Sequence, residues 1–464
     1  MKPVLRPLLG CLWLCLLLSG CGGGGDAAPP VAVVVPVPVP IAETASNDVP
    51  QDAVCSMANQ RQSLRSYMQD HYYFTTQAGD GQAASLDAYF QSLLFRPTDR
   101  YSFSEPTAAN NLRFILGRRI GYGYTLMWAD AAQTALKVRT VEPQSPVARA
   151  GLKRGDTVLA IDGNPAARVA AGQPGAVSVP GVPRQFLLRD TAGQERTLNV
   201  TSEEFPLSAV HATSTFEVSR SSAAGTETVK VGFLAYQQFV NYGFLDLGAA
   251  IRSLAAAGVK ELVLDLRYNG GGSVGVARDL ASMIGGARTA GQLFADLRFN
   301  SRQADRNFSL RFTTIPAGLP APPIEGLSRV FVIASGATAS ASELLVNGLR
   351  PFMPVVLIGD TTFGKPYGFA PRESCGTVYN AVNFETFNAV GVGGFTAGFA
   401  PDCQVPDDLD RQLGDPQEGR TRAALYYIAN GRCESDLPHS LHLRAPSPGQ
   451  AVFGETSPNR MSLD

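Results

Sequence analysis

The sequence predicts a multidomain α/β (α+β) protein, and three observations predict it. Glu261 to Ser273 (ELVLDLRYNGGGS) is an apolar run that flows into a glycine loop, and the helical pattern VGVARDLASMIGG follows. Arg329 to Ala334 (RVFVIA) flows in the same way into the small-residue turn SGATAS. Helical spacing then runs from Ala339 to Leu349, ahead of a second apolar run, Pro354 to Gly359 (PVVLIG). The third observation is a helix-patterned segment near the start, residues 54–105. Strands joined through a helix are normally parallel with a right-handed crossover, so their loops open on one edge of the sheet. Open α/β sheets place their chemistry at that edge.

The 464 residues allow two or three domains, and 45% hydrophobic with 17% charged residues fits a globular protein. A formal net charge of −1 gives no footprint for nucleic acid or an anionic surface. Residues 1–20 read as a targeting segment: Lys2 and Arg6 precede the short apolar run Leu8 to Leu18. Leu18-Ser19-Gly20-Cys21 resembles a bacterial lipobox, which implies lipidation of Cys21 and a periplasm-facing lipoprotein; an ordinary secretory signal is the alternative. The Gly- and Pro/Val-rich stretch 21–53 reads as an extended tether. Beyond Cys11, Cys15 and Cys21 remain Cys55, Cys375, Cys403 and Cys433, an even number that suggests two disulfides with three possible pairings. Cys375–Cys403, closing a local hairpin region, and Cys55–Cys433, stapling the first ordered segment to the last helix, are the favoured pair. No Cys/His cluster has zinc spacing, so neither a metal nor another cofactor is expected.

Residues 54–105 (SMANQRQSLRSYMQDHYYF, then SLDAYFQSLLF) are expected to be helical, closed by Asp99-Arg100-Tyr101-Ser102. His71, among aromatics, reads as a packing residue. Residues 106–204 form a distinct unit. Ala135 to Val141 alternates like a strand. Ser145 caps a short helix with Pro146 just inside it, Gly151 stops it, Lys153 to Asp156 turns, and TVLAID is a strand. The run SPVARAGLKRGD resembles that of PDZ domains of bacterial proteases. The resemblance implies a groove that accepts a peptide as an added strand, with Gly121, Tyr122, Gly123 and Tyr124 as the loop receiving a terminal carboxylate. A structural unit with a closed groove is the alternative.

The chemistry is expected at the two loops of the α/β unit, which spans residues 205–435. Ser340 stands where a helix begins, in the positive field of its N-terminus, and Lys365 lies on the loop after the next strand. A desolvated lysine can serve a serine as general base. Gly270 to Gly272 leave backbone N–H groups unobstructed, able to hold an oxyanion or simply to make a tight turn. With LDLRYNGGG (264–272), TASASE (338–343) and TFGK (362–365) in one order, the chain resembles the tail-specific, or C-terminal processing, serine proteases over about residues 55–430. The resemblance implies a ClpP/crotonase-like α/β core with an inserted PDZ domain and an N-terminal helical segment. It implies Ser340 as nucleophile, Lys365 as general base, Gly271 and Ala341 N–H groups as oxyanion hole, and Glu343 as a residue that holds the site. The substrate implied is a protein or peptide, chosen through its C-terminus. Ser342, two residues from Ser340, is expected to cap or to bond within the site.

Two positions depart from the family pattern. Phe369 stands where many members carry a glutamine that orients the lysine, and Gly270 where proline is usual. Asp415 to Gly431 is expected to be the last helix, started by Asp415-Pro416, with 436–464 a polar, loosely held tail. Two other readings compete. Gly271-Gly272-Ser273-Val274-Gly275 matches the nucleophile elbow of α/β-hydrolases, with His439 and His442 downstream. The other is a non-enzymatic binding protein on a degenerate protease core.

Overall fold

The structure is a computed structural model that describes residues 55–130, 132–222, 225–314, 319–434, 453–454 and 460–462. The targeting segment with Cys21, most of the tether, and His439 and His442 lie outside the described residues.

The organising sheet has six strands in the order Val210–Ser222, Gly225–Tyr236, Glu261–Asp265, Val330–Ala334, Val355–Gly359, Cys403–Gln404. The first pair is antiparallel; every other pair is parallel. The three central strands are buried along their whole length, which is why they read as continuous apolar runs rather than alternating ones. Leu262, Leu264, Val330, Val332 and Leu357 face one core with the helices Phe244–Ala256, Val274–Gly285 and Ala341–Leu349. Val263, Phe331, Ile333, Val356 and Ile358 face the other, under the helix Gly419–Asn430. That helix starts later than Asp415-Pro416: Glu418 is its cap and accepts from the Thr421 N–H at 2.9 Å. Its end is as expected, with Gly431 left-handed at φ +69°.

A second six-stranded sheet runs Gly271–Ser273, Arg460–Ser462, Tyr367–Phe369, Val382–Phe387, Leu293–Phe299, Phe308–Arg311. The helices Met57–His71 and Leu86–Leu93, capped by Ser56 and Ser85, pack Leu64, Met68, Phe90 and Leu93 against Phe369, Tyr379 and Val382. The N-terminal segment thus forms an outer layer on the sheet that carries the lysine loop. His71 stacks on Tyr67 with ring centroids 5.2 Å apart.

Residues between the paired strands Arg118–Gly121 and Glu203–Pro206 form a separate antiparallel β unit with its own core, including Tyr122, Tyr124, Leu126, Val138, Val158 and Phe186. The helix Pro146–Arg149 is capped by Ser145, and Gly151 is left-handed at φ +90° where it ends. The strand Phe453–Gly454 adds to this unit beside Tyr124–Trp128. The tail is therefore not wholly loose, since two of its short pieces are strands.

Both disulfides differ from the favoured pairing. Cys55 pairs with Cys375 and Cys403 with Cys433, with Cα atoms 5.7 and 5.5 Å apart. Cys375 occupies the turn between Arg372–Ser374 and Thr377–Asn380, in a small sheet with Phe103–Pro106 from the N-terminal layer. Cys403 lies on the outermost strand of the parallel sheet, beside the end of the last helix. Proximity in sequence between Cys375 and Cys403 hid the fact that the chain crosses from one sheet to the other between them.

Candidate active site

Ser340 is fully buried and adopts φ +65°, ψ −116°, a conformation disfavoured for any residue with a Cβ. Such a backbone costs about 1–3 kcal/mol and persists only where its surroundings over-determine it. Here they do. The Ser340 N–H donates to Glu343 Oε2 at 2.9 Å, Ala339 N–H to the Asn269 carbonyl at 3.1 Å, and Ser342 N–H to the Ala339 carbonyl at 3.1 Å. The hydroxyl of Ser340 has no hydrogen-bond partner. A buried, unsatisfied hydroxyl on a strained turn adds nothing to stability. Ser342 behaves as expected, donating to the Asn269 carbonyl at 3.0 Å.

Glu343 ties the two chemical loops together. Its Oε1 accepts from Thr362 Oγ1 at 2.5 Å and Gly364 N–H at 2.7 Å, and its Oε2 from Ser340 N–H and from Lys365 N–H at 2.8 Å. Burial pushes this carboxyl up from its ordinary value, against the pull of the Thr362 hydroxyl and the three amides. Lys365 is fully buried, and its Nζ sits 3.8 Å from the centroid of the Phe369 ring. An aromatic face thus lies against the Lys365 amino group at the position where many family members carry a glutamine. Gly364 is left-handed at φ +84°, and a Cβ there would lie 2.2 Å from the Thr396 carbonyl oxygen, so only glycine fits this approach.

The glycine loop closes the site. Gly271 and Gly272 have φ +107° and +138°. The Gly271 N–H donates to Asn269 Oδ1 at 2.9 Å, so it reaches an oxyanion only by releasing or sharing that bond. Ala341 is the first residue of its helix, so its N–H has no acceptor within the helix. Ser273 caps the helix Val274–Gly285, accepting from the Val276 N–H at 3.4 Å, a structural use of the hydroxyl that the elbow reading proposed as nucleophile.

Several positioning residues escaped the sequence reading. Arg100 donates to the carbonyls of Phe363 at 2.8 Å and Thr396 at 3.1 Å, and Tyr101 Oη to that of Gly364 at 2.7 Å. The Asp99-Arg100-Tyr101-Ser102 motif was visible, but nothing local showed that it clamps the lysine loop. Asn269 was another, recognisable only as a polar residue between a strand and a glycine run.

In the β unit, Gly123 packs so closely on Ser145 that a Cβ would lie 2.0 Å from the serine Cβ. The Tyr122 carbonyl accepts from Val147 N–H at 3.2 Å and the Gly123 carbonyl from Glu142 N–H at 2.9 Å. These bonds set the entry loop against its short helix.

The fold thus brings a buried serine at a helix start and a buried lysine on the neighbouring loop to one mixed α/β core. Residues 230–405 match the model of peptidase family S41, and the match marks the chain as a serine-type peptidase. It is 24% identical over 363 residues to the chloroplastic C-terminal processing peptidase of Tetradesmus obliquus, covering 73% of this chain and 72% of that one. It is 26% identical over 244 residues to the carboxy-terminal processing protease CtpB of Bacillus subtilis, covering 49% of this chain and 44% of that one. Among solved structures, an S41 protease of Bacteroides fragilis superposes with a TM-score of 0.63 at 25% identity, over 79% of this chain and 96% of that one.

Proposed function

We propose that the chain is an endopeptidase working through a Ser340–Lys365 dyad, on protein substrates selected through their C-termini by the β unit acting as a PDZ domain. Lys365 Nζ accepts the proton of Ser340 Oγ as the oxygen attacks the scissile carbonyl carbon. The tetrahedral oxyanion is met by the Gly271 and Ala341 N–H groups. Collapse breaks the C–N bond, and Lys365 returns the proton to the departing amine. Water then hydrolyses the acyl-enzyme by the same route. The observation that carries this reading is the buried Glu343 carboxylate, which accepts from the backbone N–H groups of both reacting residues.

Separate Ser340→Ala and Lys365→Ala replacements are expected to lower kcat by about 10³-fold or more on an unstructured polypeptide, while Ser273→Ala stays near wild type. Loss confined to Ser273→Ala would overturn the assignment. For tail selection, a peptide and its C-terminally amidated form are compared; the free acid is expected to have the lower KM. Lipidation at Cys21 would hold the enzyme at a membrane on the periplasmic side, and Cys21→Ser is then expected to move it to the soluble fraction.

A further inference from the structure

Two short pieces of the chain's own C-terminal region lie along the edges where an extended peptide would bind. Phe453–Gly454 runs antiparallel to Tyr124–Trp128, with Phe453 opposite Leu126 and Gly454 opposite Thr125. Its direction is therefore towards Tyr124 and Gly123, the sense in which a peptide tail would enter the Gly121–Tyr124 loop. The second piece lies at the catalytic loop. Arg460–Ser462 runs parallel to Gly271–Ser273, with Arg460 opposite Gly271, Met461 opposite Gly272 and Ser462 opposite Ser273. Ser462 is also in register with Phe369, the residue whose ring lies against Lys365. The far edge of Gly272 is closed by a bridge to Phe239, whose carbonyl oxygen would lie 1.9 Å from any Cβ at that glycine. The remaining edge of the oxyanion strand is thus the one the tail takes.

The first is a backbone pairing along Tyr124–Trp128, and the second fills the gap between Gly271–Ser273 and Tyr367–Phe369; both use main-chain bonds, the mode in which extended peptides are recognised with little regard to sequence. We propose that the strands Phe453–Gly454 and Arg460–Ser462 are cis-bound peptide ligands, the first on the β unit and the second at the catalytic cleft, competing there with substrate. The proposal rests on the Ser340–Lys365 reading only for what the second strand adjoins. Strand additions of two or three residues are weak alone, but a tethered segment faces its sites at an effective concentration in the millimolar range. Substrate then binds only the fraction of enzyme from which these strands are released, which raises KM and leaves kcat alone.

The test uses the full chain carrying Gly454→Pro and Met461→Pro together, since proline cannot donate to a strand ladder. Amide hydrogen exchange is read in a Ser340→Ala background, where no cleavage can intervene. Exchange in Tyr124–Trp128 and Gly271–Ser273 is expected to rise at least about tenfold in the proline variant and to stay unchanged in Met461→Ala, which keeps its N–H. In the active background KM is expected to fall at least about fivefold with kcat within about twofold. Identical exchange with and without the prolines overturns the proposal, as does an unchanged KM in an active enzyme. Exchange that responds while no form cleaves peptide keeps the tail ligand and refutes the dyad.

Discussion

Phe369 shows how a single side chain can replace another of different chemistry. A glutamine would orient a lysine by hydrogen bonding; here the phenyl face lies against the amino group, with Nζ 3.8 Å from the centroid. Phe369→Leu keeps apolar bulk but removes the flat face that positions Nζ, and is expected to lower kcat about tenfold with KM unchanged, an effect of the size a misplaced general base produces. Phe369→Gln is expected to stay within about threefold of wild type. Glu343→Gln is the more severe change, because an amide offers one oxygen where four donors need two. A drop of about 10²-fold in kcat is expected, measured by steady-state peptide cleavage, together with a lower Tm. Ser340, Lys365 and Glu343 could be singled out because short local patterns carry them. Arg100 and Tyr101 were not, because their partners lie 263 residues away in sequence and no periodicity connects them.

At the level of elements, the strands and helices around the site were readable for a physical reason. Parallel strands buried on both faces become unbroken apolar runs, and the glycines that follow them mark the edge where loops emerge. What the sequence hid is the polar joint between the β unit and the peptidase core. Arg154, on the turn Lys153 to Asp156, donates to Tyr268 Oη at 2.7 Å, to Asp407 Oδ1 at 2.8 Å and to the Arg411 carbonyl at 3.0 Å. Tyr268 directly precedes Asn269 and the glycine loop. Arg267, also fully buried, bonds Asp265, Asp407 and both oxygens of Glu418. Arg154→Ala would leave Asp407 with Arg267 as its remaining ion-pair partner and is expected to cost about 1–3 kcal/mol in urea unfolding. The pH dependence follows from Glu418, whose carboxyl the Arg267 guanidinium holds down at about 2 against the opposing effect of burial. A depressed folded-state value means that this stability is complete above the ordinary value of 4.5 and disappears as the pH falls towards about 2. Unfolding free energies over that window are expected to fall more steeply for wild type than for Glu418→Gln.

Across the whole molecule, the two disulfides close loops of very different length, with sequence separations of 320 and 30. In the chain-entropy picture they restrict the unfolded state by at most roughly 6 and roughly 4 kcal/mol. Replacing Cys55 and Cys375 by Ala is therefore expected to lower Tm more than replacing Cys403 and Cys433, as thermal unfolding monitored by circular dichroism would show. The cysteine count announced two bridges, but their partners depended on which sheet each strand joined, a long-range fact absent from any local pattern. The Cys55–Cys375 bridge also fastens the layer that supplies Arg100 and Tyr101 to the lysine loop. The stretch recognisable as a peptidase, residues 230–405, is consequently not an autonomous module. Cut out by itself it would forfeit one partner of each bridge, the guanidinium beneath Gly364 and the acidic anchors of Arg267 at Asp407 and Glu418. Heredity has preserved a signature shorter than the unit that must fold together for it to work.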